Sequence, residues 1–203
     1  EANLKGNLIT LRNQMRIHAT KETVEWIRNL IDAGVVNEVP IDNDYDIRVF
    51  DSPEELQSAI MEKNDDQSLG ISRLTATYDW EYSSQSKPKD SDYWCVRIGD
   101  WSCPWNRQLA KEKESKHLSW IEQSQTIHEI GSTFTVQGFD LNYVGVIIGP
   151  SVKYRDGKII FDISESKNKS AVQNRKLESG EMINYGETLL RNELNVLLTR
   201  GVN

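Results

Sequence analysis

Residues 143–149 read Tyr-Val-Gly-Val-Ile-Ile-Gly, an uninterrupted apolar run with small residues inside it and at its end. A half-solvated antiparallel strand would alternate polar and apolar residues. A continuous run of this length fits a strand buried on both faces of a parallel sheet. Parallel neighbours need long crossovers, usually helices, so this stretch commits the chain to an α/β fold. Residues 126–130 predict a shorter strand ahead of it, and between the two lies a polar loop carrying Thr135, Gln137, Gly138 and Asp140. In open α/β sheets, sites collect in the loops at strand ends. Glycine admits close backbone approach, threonine and glutamine offer donors, and the acid can accept from a ribose hydroxyl. The loop therefore suits a nucleotide or a phosphate backbone.

The remaining chain keeps the strand–helix rhythm. Residues 8–11 predict a strand, followed by a turn with Gln14 and Arg16. Thr20 is placed to cap a helix whose Val24, Ile27, Leu30 and Ile31 share a face, with Gly34 just past its end. Residues 45–50 predict a strand; Ser52, Pro53 and two following acids open a second helix facing inward through Leu56 and Ile60. Residues 71–78 supply another strand. From 79 to 120 the rhythm breaks into a Trp-rich insertion, holding tryptophans at 80, 94, 101, 105 and 120 around a short hairpin at 93–98. These rings, Trp105 in the loop at 104–106 among them, either stack the bases of a single strand beside nearby cations or form a satellite core. Asp156-Gly157 between apolar runs predicts a hairpin. Residues 164–180, rich in Ser, Lys and Asn, read as a mobile connection, and 187–199 return to helical spacing before Thr199-Arg200-Gly201.

Composition narrows the partners. A chain of 203 residues suits one α/β domain with an insertion, and its net charge of −7 restricts nucleic-acid contact to a local groove. No apolar stretch approaches the ~20 residues of a membrane span. Cys95 and Cys103 match no zinc spacing and read as reduced thiols, so no metal site is expected and a cytoplasmic setting is. No Gly-x-x-x-x-Gly-Lys-Ser/Thr and no strand ending in an Asp-Glu pair occur, so neither a phosphate-cradling loop nor a magnesium-holding acid is present.

The string 134–141, Phe-Thr-Val-Gln-Gly-Phe-Asp-Leu, resembles the fifth conserved motif of superfamily-one helicases, with Phe134 and Asp140 where that motif usually has His and Glu. Together with Tyr-Arg-Asp-Gly-Lys at 154–158 and Leu-Leu-Thr-Arg-Gly at 197–201, it looks like a bacterial family of Schlafen-type DNA/RNA helicase-like ATPases, long filed as a domain of unknown function. The turn at 14–16 resembles the fourth motif, and Thr199-Arg200 the sixth.

The resemblance implies that residues 1–203 form a second, C-terminal RecA-like domain: a mostly parallel sheet flanked by helices. A first RecA-like domain, expected upstream of Glu1 in a longer protein, would carry the missing motifs and be its partner. The full protein would use ATP and Mg2+, while this piece alone would be inactive. Arg200 and Arg16 would sense or stabilise the γ-phosphate. Gln14, Gln137, Gly138 and Asp140 would line the nucleotide. Thr135, Thr199 and Trp105 would couple it to single-stranded DNA or RNA. The alternative is a catalytically lapsed helicase-like module that binds protein or single-stranded nucleic acid.

Overall fold

The computed structural model describes residues 17–66, 68, 70–110, 113, 115 and 117–203. The strand expected at 8–11 and the turn holding Gln14 and Arg16 lie outside them.

At the centre, β1 (Ser72–Ala76) pairs in parallel with β4 (Tyr143–Ile147), in register from Ser72 with Tyr143 to Ala76 with Ile147. β1 is buried along its whole length. Helix α2 (Pro53–Asp65) crosses the pair, and the contact demands a glycine at 145. A Cβ there would stand 2.6 Å from Leu74 Cδ2 and 2.8 Å from Ile60 Cγ1. α2 starts as its sequence dictates, with Ser52 Oγ accepting from Glu55 N at 3.2 Å and acids beside the positive helix end.

Helix α1 (Lys21–Arg28) begins at Thr20, widens into a π-helical turn over Asn29–Ala33, and stops at Gly34 in the left-handed region. Asp42 accepts from both the backbone and hydroxyl of Thr20 and from the Thr23 hydroxyl, which holds its carboxyl well below the usual range. Helix α4 (Gly186–Leu198) buries Leu190, Leu194 and Leu197.

The remaining pairs are antiparallel hairpins: β2 (Cys95–Ile98) with β3 (Trp101–Pro104), β5 (Val152–Arg155) with β6 (Lys158–Phe161), and β7 (Arg175–Lys176) with β8 (Met182–Ile183). The β5–β6 turn places Asp156 and Gly157 at φ 50° and 79°, the two positive angles that this hairpin type needs. The fold is thus mixed α/β with small sheets and one parallel pair among the described residues, where a mostly parallel sheet was expected.

Two expected strands are absent for identifiable reasons. Residues 45–50 form no backbone ladder, and Val49 remains 80% exposed. Residues 124–128 coil into a 3-10 turn, in which Thr126 Oγ1 is bound back to the carbonyls of Trp120 and Gln123 in the preceding segment. Only Ile130 and Gly131 bridge, to Trp105 and Thr75. The segment 164–180 is likewise not an open connection: Lys167 N donates to Tyr78 O at 2.8 Å, and Asn168 caps a short helix, α3 (Lys169–Val172).

The Trp-rich region belongs to the core. Trp105 is wholly buried with Ile60, Leu74, Ala76, Val96, Ile130 and Ile147, while Trp80, Trp94 and Trp101 pack around them. It is therefore continuous with the β1–β4 core instead of forming a satellite. Cys103 faces this interior, and burial pushes its thiol up to about 12. No described helix is long and apolar enough to cross a membrane.

One buried cation stitches these layers together. From β1, the Arg73 guanidinium donates to Thr126 Oγ1 at 2.8 Å, Asn64 Oδ1 at 2.5 Å, and the carbonyls of Ile121 and Gln123 at 2.7 and 3.2 Å. Burial lowers its pKa to about 10, leaving it charged at neutral pH. Arg73→Ala would withdraw a buried donor from Thr126, Asn64, Ile121 and Gln123 at once and is expected to cost about 3 kcal/mol or more. Chemical denaturation of the two proteins checks this.

Candidate functional site

The loop at 132–142 folds back on itself before entering β4. Thr135 Oγ1 accepts from Ser132 N at 2.8 Å and donates to Ser132 O at 2.9 Å, so its hydroxyl closes a turn. Gly131 lies under that hydroxyl and the Trp120 ring, where a Cβ would come within 2.6 Å of Thr135 Oγ1. Val136 and Leu141 are buried anchors, whereas Gln137, Gly138, Phe139 and Asp140 form an exposed crest. Gly138 sits at φ 86°, a conformation that side-chain-bearing residues avoid. Phe134 is 55% exposed and meets Tyr78 edge-on.

The end of α4 docks onto this loop. Arg200 Nη1 donates to Phe139 O at 2.8 Å and stands 4.0 Å from Asp140 Oδ1. Leu141 N donates to Arg200 O, and Val202 N to Leu141 O, so the backbone after α4 runs beside the loop. Tyr45 Oη secures the same segment by donating to Gly201 O at 3.2 Å, and burial raises the Tyr45 phenol to about 12. Arg200 itself is only 5% exposed, while Asp140 projects to solvent.

The structure therefore brings Arg200, Asp140 and the 137–139 crest together across sixty-one positions of sequence. It uses Thr199 within the helix, Oγ1 donating to Asn195 O at 2.7 Å. Trp105 is at the opposite extreme from an exposed stacking platform: its ring is enclosed and its indole N–H donates to Glu81 O at 3.2 Å. Nothing in the described residues bears on Gln14 or Arg16.

A second polar cluster, not singled out in the sequence, sits at the carboxyl ends of β1 and β4. Thr77 Oγ1 donates to Asp79 Oδ2 and accepts from Gly149 N; Ser151 N also donates to Asp79. A Cβ at Gly149 would fall 2.3 Å from that carboxylate. From α4, Glu193 reaches the same strand end and accepts from Tyr78 N at 3.2 Å. Burial first, and the nearby Asp79 charge second, raise Glu193 to about 8. An acid at 193, three residues from Leu190 on the buried face of an amphipathic helix, was the sequence signal.

Comparison with known proteins covers nearly the whole chain. The family model described as Schlafen group 3, DNA/RNA helicase domain, matches residues 2–203. The uncharacterized protein YPL245W of Saccharomyces cerevisiae is 31% identical over 210 residues, covering 95% of this chain and 43% of that protein. The chain thus spans less than half the length of this curated relative. No solved structure matches.

The Glu193 carboxyl binds its proton more tightly in the folded protein than the ordinary value of 4.5. The folded state therefore keeps a proton that the unfolded chain releases, and stability should fall as pH rises from about 4.5 to about 8. Glu193→Gln keeps the acceptor for Tyr78 N and should flatten that slope, read as melting temperature against pH.

Proposed function

The chain belongs to the Schlafen group 3 DNA/RNA helicase domain family, and from that premise we propose that it is the second, RecA-like half of an ATP-driven nucleic-acid translocase. In this reading a preceding domain of the same protein holds ATP and Mg2+, and this chain closes over them. The observation that carries it is the docking of Arg200 on the 137–140 crest, the two segments resembling helicase motifs. A cation held there by a carbonyl and flanked by an acid can be delivered to a phosphate as one rigid unit with the loop. Its charge would then offset the charge that develops on the transferring phosphoryl group.

Each part has a role under this proposal. Gln137, Gly138 and Asp140, exposed on the crest, would meet the nucleotide or its ribose. Thr135 and Thr199, whose hydroxyls are satisfied inside their own turns, would fix the shape of loop and helix end, transmitting nucleotide state through positioning. Arg16 would join Arg200 on the cleft. The burial of Arg200 favours a second reading, in which the unit is a structural latch retained by a domain that no longer hydrolyses ATP.

The experiment uses the full-length protein and measures ATP hydrolysis with and without single-stranded nucleic acid. Under the proposal, Arg200→Ala lowers stimulated turnover on the order of 1,000-fold, and Arg200→Lys recovers little of it because a point charge does not reproduce the planar fork. Stimulated turnover that survives Arg200→Ala, or no turnover in the wild-type protein, supports the latch.

A further inference from the structure

Opposite in character to the buried tryptophans is a shallow polar groove of about 380 Å³ formed by residues 82–87 and the turn at 107–108. Its described lining includes the hydroxyls of Ser83, Ser84 and Ser86, the amides of Gln85 and Gln108, and two cations, Lys87 and Arg107, but no carboxylate. In a chain of net charge −7, a two-cation groove whose described lining holds no acid is a local reversal of sign. Both cations are exposed, and among the described residues neither forms an ion pair. Tyr82 is half-buried, leaning edge-on against Trp105 at 6.3 Å while contributing to the groove wall.

The turn that presents Arg107 is held at some cost. Asn106 and Arg107 both adopt left-handed backbone angles, φ 67° and 70°, which non-glycine residues rarely do in succession. Five hydrogen bonds enforce it. The Asn106 side chain donates to Tyr78 Oη and accepts from Ser132 Oγ, its N–H donates to Ile130 O, and the following N–H groups of Gln108 and Leu109 converge on the buried Glu129 carboxylate. Trp120 Nε1 donates to that same carboxylate at 2.7 Å. On the facing side, Trp94 Nε1 donates to Ser86 O at 2.9 Å, setting the 83–87 loop against the turn. The core thus fixes the backbone on both sides of the groove while the two cationic side chains remain in solvent.

We propose that this groove is a phosphate-backbone subsite for single-stranded nucleic acid, in which Arg107 and Lys87 each neutralise a phosphate and the Tyr82 ring forms the wall beside them. It rests on the nucleic-acid reading above and supplies the contact surface that the buried Trp105 cannot. Hydroxyls and amides between the cations suit phosphate and sugar oxygens, and in a shallow, open groove these contacts to the backbone tolerate any sequence.

The test measures fluorescence anisotropy of a labelled single-stranded oligonucleotide with the full-length protein across a salt series. Neutralising two phosphates contributes about 1.4 to the slope of log affinity against log salt. The Lys87→Gln/Arg107→Gln double variant is expected to lose that amount and to bind more weakly at low salt. Lys87→Gln alone loses about half, and Arg107→Lys keeps the slope. Both side chains are exposed, and an unchanged melting temperature confirms folding. A wild-type slope in the double variant overturns the subsite while leaving Arg200-dependent turnover untouched. Binding of ATP or inorganic phosphate without oligonucleotide binding also overturns it, and wild-type protein that binds no oligonucleotide removes the nucleic-acid reading as well.

Discussion

Everything in this structure is referred to the parallel pairing of β1 with β4, and that pairing depends on a missing side chain. Gly145 lets Leu74, Ile60 and Leu56 close over the strand pair, bringing α2 down onto it. Burying such a layer is worth roughly 25 cal/mol for each Å² of apolar surface removed from water, spread over many residues and without direction. Direction comes from polar groups that have one good arrangement. Arg73 binds the 3-10 turns to β1, and Glu129 gathers the 108–109 amides and the Trp120 indole. Both groups are buried, so losing a partner would leave an uncompensated polar group, which is what makes them specifying.

The candidate site follows from that frame. β4 sets where the 132–142 loop must end, and Thr135 and Gly138 set how it turns. α4 packs through its leucines and delivers Arg200 to the carbonyl of Phe139. The loop and the helix end are therefore tied by side-chain and backbone hydrogen bonds, the kind of connection that the proposed coupling of nucleotide to nucleic acid would use. Glu193, midway along the same helix, attaches it to the other end of the strand pair, so α4 is held from its middle as well as from its C-terminal end.

Local chemistry was legible in the sequence. Thr20, Ser52, Gly34 and Asp156-Gly157 mark caps and a turn because each acts through its own backbone or one three residues away. The apolar run at 143–149 announced its strand and the need for a parallel neighbour. Illegible were choices decided by distant partners. Residues 45–50 have strand composition, yet no ladder forms, and Thr126 spends its hydroxyl on a turn. Trp105 stands beside cations in the sequence, but its ring fills the core, while Arg107 two positions on reaches solvent. The conjunction of Arg200 with the 137–140 crest came from family resemblance, since no periodicity links positions that far apart.

Under the proposed function, Arg200 and the crest act as one unit that nucleotide engages from the outside. Hydrogen exchange in the full-length protein, with and without a non-hydrolysable ATP analogue and Mg2+, addresses it most directly. Nucleotide should slow exchange at residues 137–142 and 199–202 together, in the amides that join the loop to the helix end. Slowing confined to other parts of the protein, with both of these segments unchanged, would contradict it.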